Sequence, residues 1–328
     1  MEPVAVDAMG GDCAPGEIVV GARRAADEWG IPVVLVGRPD EMGDTGGLEV
    51  IEASEVIPMD AEPGSSVRAM KDSSLVRAAE AVRDGRASAM VSAGNTGAAM
   101  GAALLRMGRV RGITRPAIAA PIPTPGSAPT TLLDSGANAE CRPEWLVQFA
   151  RMGSVYARDR FGIEKPRVGL LSIGEEAGKG NDLAKSAFKR LSDGRWADDV
   201  AAEWIGNVEG RDIMTSEVDV VVTDGFTGNV TLKALEGALR ALFGRMLVAI
   251  DTDDTSRRAG EMLAPALDSM AQEIHPDSVG GALLLGVRGV CVISHGASRA
   301  AAVMNAVRVA REMVNAGMVG HIAATARS

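Results

Sequence analysis

Six times along this chain a short apolar run breaks into a polar, glycine-rich corner and then into a helical pattern. Val4 to Asp7 leads into Ala8, Met9, Gly10, Gly11 and Asp12, and Ala87 to Val91 leads into Ser92, Ala93, Gly94, Asn95 and Thr96. Thr130 to Leu133 ends in Asp134, Ser135, Gly136, Ala137 and Asn138, and Val168 to Ser172 opens into a loop carrying Lys179 and Asn181. Val220 to Val222 gives Asp224, Gly225, Phe226, Thr227, Gly228 and Asn229, and Gly289 to Ser294 gives His295, Gly296, Ala297 and Ser298. Strands alternating with helices predict an α/β fold, a mostly parallel sheet with helices on both faces. Parallel order predicts that all six corners line one rim, where such sheets bind ligands.

The fifth of these units is the most informative. Its helix carries Leu232, Leu235, Ala238, Leu239 and Leu242 at spacings of three and four. A helix start has unpaired N–H groups and the positive end of the dipole, and glycine lets a ligand approach the backbone, so the corner predicts an anion site. Lys233, four residues past Asn229, adds a positive charge to it.

Composition sets the function classes aside. Acids outnumber bases 43 to 34, a net charge of −9, which argues against a nucleic-acid binder. Cys13, Cys141 and Cys291 are odd in number and scattered, so neither a disulfide framework nor a zinc site is expected. The N-terminus lacks the apolar stretch of a signal peptide, and the run from Ala282 to Ile293 is interrupted by Arg288 and too short to span a bilayer. A cytoplasmic protein is the expectation. No GxGxxG lies at a strand-to-helix turn, and GxxxxGK[ST], GxSxG and HExxH do not occur.

Several stretches stand in an order that resembles the phosphate acyltransferase (PlsX) family: VDAMGGD at 6–12, SAGNTGA at 92–98, DSGAN at 134–138, SIGEEAGKGN at 172–181, VTDGFTGNVTLK at 222–233 and GGALLLGV at 280–287. The chain departs from it at Cys13, where members usually carry His, and in the loop-rich segment 38–66. The resemblance implies a Rossmann-like α/β/α enzyme, a homodimer, that makes acyl phosphate from acyl-acyl carrier protein and inorganic phosphate. A membrane glycerol-3-phosphate acyltransferase would then consume the product on the way to phosphatidic acid. A single domain over 1–328 is expected, with a helical excursion at about 235–277.

Attack of phosphate on a thioester needs neither metal nor cofactor nor covalent intermediate. It needs a held dianion, donors to the developing oxyanion and help for a departing thiolate. Lys179, Asn229 and His295 are the candidate catalytic residues, with His295 as proton donor to the sulfur. Asp7, Gly10, Gly11, Asp12, Asn95, Thr96, Asp134, Asn138, Asn181, Asp224, Thr227 and Lys233 are the candidate phosphate and substrate contacts. Lys185 is a weaker candidate, while His275 and His321 read as surface residues and Cys13 as an ordinary packed thiol. Arg106, Arg109 and Arg111 suggest a docking patch for the acidic carrier protein, against the plainer reading of a charged helix end. The apolar faces of 235–250 and 261–274 predict core or dimer contact, the alternative being a peripheral membrane contact. A short-chain phosphotransacylase using a coenzyme A thioester, and a non-catalytic binding module for acyl phosphate or carrier protein, are the rival functions.

Overall fold

The short Val-, Leu- and Ile-rich runs do become strands. In the computed structural model, which describes residues 2–274 and 280–326, they join in one sheet of eleven strands. In chain order these are β1 (Val4–Asp7), β2 (Val33–Gly37), β3 (Glu49–Glu52), β4 (Ala89–Ser92), β5 (Ala117–Ile122), β6 (Thr130–Leu133), β7 (Arg167–Leu171), β8 (Glu203–Val208), β9 (Val220–Val222), β10 (Ala282–Leu285) and β11 (Val290–Ile293). Across the sheet they stand in the order β3-β2-β1-β4-β11-β10-β5-β6-β9-β7-β8.

The pairing is parallel from β3 to β11 and again from β6 to β8. Between these blocks, β11–β10, β10–β5 and β5–β6 are antiparallel. Three successive reversals leave the two parallel blocks pointing in opposite directions. This corrects the expectation that six corners share one rim. The corners after β1, β4 and β11 lie on one rim, and those after β6, β7 and β9 lie on the other.

The reversal depends on two strands that sequence patterning did not separate. β5 falls in a proline-rich stretch, and β10 with β11 forms the single apolar run 282–293. Pro121 is tolerated in β5 because it lies past Ala117–Ala119, the residues that β10 pairs with. Within the loop-rich segment 38–66, β3 forms at Glu49–Glu52, and Glu55 makes an isolated bridge to Ser73.

One face of the sheet is covered by the helices Gly16–Trp29, Pro143–Phe161 and Ala300–Asn315, which bury Ile18, Phe149 and Val303. The opposite face is covered at one end by Ser74–Arg83 and Thr96–Ala102, through Val76, Ala98 and Ala99. At the other end of that face, Leu232 and Leu235 of the helix Gly225–Ile250 pack on Ile122, Leu132 and Val221. Beyond this contact the helix leaves the body and pairs with Asp254–Ile274, where Gly260 abuts Ile250. Leu242, Leu247, Val248, Met262 and Leu263 stay more than half exposed along this hairpin. Among the described residues no helix is long and apolar enough to cross a membrane. Residues 275–277 of the expected excursion, His275 included, lie outside the described residues.

Candidate active site

On the first rim the corners interlock. Asp7 at the end of β1 is buried and accepts hydrogen bonds from Ser92 Oγ at 2.6 Å and the Met9 N–H at 3.3 Å. Burial raises its carboxyl above the ordinary value, and the hydrogen bonds of Ser74 and Ser92 oppose that rise. Gly10 must be glycine, since an added Cβ would lie 2.5 Å from Asp7 Oδ2 and 2.8 Å from the Gly94 nitrogen. The Asp12 N–H donates to the Gly296 carbonyl at 2.8 Å, which ties the first corner to the last. Asn95 is fully engaged: its Oδ1 caps the Ala98 N–H, and its Nδ2 donates to the carbonyls of Met59 and Ala61. Asp7 and Asn95 thus build the corner and are spent on it, while Thr96 is left open to solvent.

The second rim is held by its own side chains in the same way. Buried Asp134 accepts from the N–H groups of Ile118, Gly136, Ala137 and Asn138 and from Asn138 Nδ2. Burial pushes its carboxyl up against the pull of these bonds. Asn138 also donates to the Pro116 carbonyl at 2.8 Å. Asn181 caps the Ala184 N–H, and Asp224 caps the Thr227 N–H while accepting from the Thr227 hydroxyl. Lys179 is exposed and reaches Glu176 at 4.0 Å. As a set, the twelve candidate substrate contacts are therefore not brought together. Asp134, Asn138, Asn181, Asp224 and Thr227, with Lys179 beside them, belong to the rim opposite His295.

What joins the two rims is the helix Gly225–Ile250. It starts on the second rim, where the Gly225 N–H donates to the Asn138 carbonyl. Gly228 passes so close that an added Cβ would sit 1.9 Å from the Asp134 carbonyl oxygen. The helix then runs across β6 and β5 toward the first rim, carrying Asn229, Lys233 and Glu236 on one face at helical spacing.

Between this helix and the one beginning at Thr96 lies a cleft of about 190 Å³. Its lining includes Thr96 and His295 from the first rim and Ser135 and Asn229 from the second. Its floor is the antiparallel seam. Ala282 is paired with Ile293, and Ala120 with Leu132, so two small side chains occupy the middle of a row flanked by larger ones.

At the first-rim end of the cleft three side chains meet. The Lys233 ammonium donates to Glu236 Oε2 at 2.9 Å and lies 2.8 Å from His295 Nε2, with His295 Nε2 3.5 Å from Glu236 Oε1. Burial opposes ionisation of Glu236, yet hydrogen bonds from His295 and Lys233 and the Lys233 charge hold its carboxyl down at about 2. Asn229 is exposed, lines the same cleft, and among the described residues makes no side-chain hydrogen bond. Glu236 is the member that sequence reading did not single out. Its spacing of three from Lys233 was the available signal.

The remaining candidates are placed as follows. Arg106 pairs with Glu80 at 3.5 Å, Arg109 donates to the Thr114 carbonyl, and Arg111 is exposed. His321 is half-exposed and meets Asp159 at 2.8 Å. Burial pushes the Cys141 and Cys291 thiols up to about 12. Among the described residues no three His, Cys, Asp or Glu side chains converge so as to hold a metal ion.

A family model described as fatty acid synthesis protein matches residues 3–320. A phosphate acyltransferase of Elusimicrobium minutum is 48% identical over 97% of this chain and 94% of its own length. One of Heliobacterium modesticaldum is 47% identical, over 97% and 96%. Among solved structures, a branched-chain phosphotransacylase of Enterococcus faecalis superposes with a TM-score of 0.62 at 17% identity, covering 96% of this chain and 99% of that one. The EutD phosphotransacetylase of Staphylococcus aureus gives 0.60 at 14%, covering 95% and 94%. At such identities these two speak to the fold alone.

Proposed function

Because the chain belongs to the fatty acid synthesis protein family and is an acyltransferase of the phosphate acyltransferase kind, we propose that it moves a long-chain acyl group from acyl carrier protein to inorganic phosphate. The observation that carries this reading is the Lys233 ammonium and the His295 imidazole standing together at one end of an apolar-floored cleft. Lys233 holds the phosphate dianion with help from the Thr96 hydroxyl. A phosphate oxygen attacks the thioester carbonyl, whose developing oxyanion takes the unpaired amide of Asn229. The C–S bond breaks as the new C–O bond completes, and the proton lost by phosphate reaches the departing sulfur through His295. The acyl chain lies along the seam over Ala120 and Ala282.

Arg109 and Arg111 would receive the carrier protein, and the exposed apolar side of the hairpin supports burial against a second copy of the chain. Asp251, Asp253 and Asp254 at the hairpin turn work against anionic lipid, so a peripheral membrane contact is the second use of that surface. The acyl phosphate product would pass to a membrane glycerol-3-phosphate acyltransferase.

The deciding experiment incubates the protein with phosphate and either palmitoyl-acyl carrier protein or palmitoyl-coenzyme A, and follows free thiol and acyl phosphate. Release from the carrier-protein donor alone is expected. Release from coenzyme A alone would replace this reading with a phosphotransacylase, and no release from either would leave a binding module.

A further inference from the structure

The Lys233–Glu236 pair has the spacing of an ordinary helix-surface ion pair, worth a few tenths of a kcal/mol and solvated on all sides. Its surroundings differ from that. The Glu236 side chain is only 14% exposed, and its other oxygen faces a third group, His295, delivered by the corner after β11. An ammonium has three N–H bonds. One goes to Glu236 and one to His295 Nε2, which leaves the third for a ligand in the cleft. A hydrogen bond from Lys233 to Nε2 requires the tautomer with its proton on Nδ1.

We infer that Glu236 is a positioning residue for acyl transfer, a carboxylate that holds the Lys233 ammonium before phosphate arrives and becomes the counter-charge of a protonated His295 afterwards. The inference rests on the reading of this cleft as the transfer site. When a phosphate dianion takes the ammonium, Lys233 is drawn off both partners and His295 Nε2 is left with Glu236 Oε1 3.5 Å away. The proton released by the attacking phosphate then has a base to occupy and an anion to balance it, until it passes to the sulfur. Asp12 also faces the corner that carries the ring, its Oδ2 lying 3.5 Å from where a Cβ on Gly296 would stand. Glu236 therefore both competes with phosphate for Lys233 and supports the acid that phosphate creates. It thereby raises both KM for phosphate and kcat.

Glu236→Gln and Glu236→Asp, measured with acyl-acyl carrier protein and phosphate across the neutral pH range, separate this role from a packing one. For Glu236→Gln, kcat is expected to fall at least about tenfold, less than the roughly 10²–10⁴ that a general acid or base itself supplies, because Glu236 acts through His295. KM for phosphate is expected to fall with it, and the pH dependence of kcat to change shape. Glu236→Asp, which keeps the charge, should recover most of kcat. If Glu236→Gln melts with the wild type and leaves kcat and its pH profile unchanged, the role is refuted. It is equally refuted if both variants lose kcat alike with no change in KM or profile. Wild-type protein in the same assay keeps the two failures apart, since absence of acyl phosphate from the wild type sinks the underlying reading and not the role of Glu236.

Discussion

The corners after β4 and β11 and those after β6, β7 and β9 are written in the same pattern of strand, glycine and helix start, yet they spend their polar side chains differently. On the second rim Asp134 gathers four hydrogen bonds from its own loop and one from Ile118 in β5, and Asn181 and Asp224 cap the helices they precede. On the first rim Asp7 and Asn95 are spent the same way, but Lys233 and His295 are brought face to face over a cleft by elements 62 residues apart. A polar corner thus becomes a candidate site when a second element supplies a partner that the corner does not itself use up. The contrast predicts that substitutions on one rim cost turnover, and on the other stability.

The largest effect is expected from Lys233→Ala, which should lower kcat/KM for phosphate by about 10²–10³ while leaving the melting temperature near wild type. Asp134→Ala should do the reverse. Several buried N–H groups lose their acceptor, at a cost of about 3 kcal/mol or more in urea unfolding, and any folded fraction should keep its turnover. A loss of turnover with no loss of stability would put Asp134 into the chemistry. Ala120→Leu fills the seam, so the preferred acyl donor should shorten by several carbons, with long-chain kcat/KM falling about tenfold. An unchanged chain-length profile would move the acyl chain elsewhere.

Lys179→Ala should cost less than about threefold, because its charge sits at the opposite rim, paired with Glu176. A loss as large as that of Lys233→Ala would place phosphate on the second rim instead. The smallest effect is on acid stability. The Glu236 carboxyl is lowered from 4.5 to about 2 in the folded chain, so the folded state binds its proton less readily than the unfolded one. Its stabilisation is present above pH 4.5 and is lost as pH falls toward about 2. The gap in stability between wild type and Glu236→Gln should close over that window.

Much of this architecture could be read before any coordinates. The alternation of Val-rich runs with amphipathic helices required a layered α/β sheet, and the glycines at 10 and 228 marked real close approaches of backbone to its neighbours. Lys233 and His295 were both singled out, in separate units with no hint that they touch. Glu236 escaped because a single glutamate three residues past a lysine is the commonest surface pattern on a helix. β5 escaped because Pro116 just before it and Pro121 within it mask a strand, Pro121 lying beyond the residues that pair with β10.

Sequence by itself determined which segments are strands and helices in most of the chain, where the backbone must turn tightly, and which family the chain resembles, since these rest on local periodicity and on side chains acting on their own neighbourhood. The direction of each half of the sheet was decided only by tertiary structure. It turns on three antiparallel pairings among β11, β10, β5 and β6, between residues as far as 168 positions apart, Ala117 and Leu285, that carry no local mark of their partner. That reversal separates the two rims and lays one long helix across the seam, and so determines which of many polar side chains are used up in building corners and which are left facing a cleft.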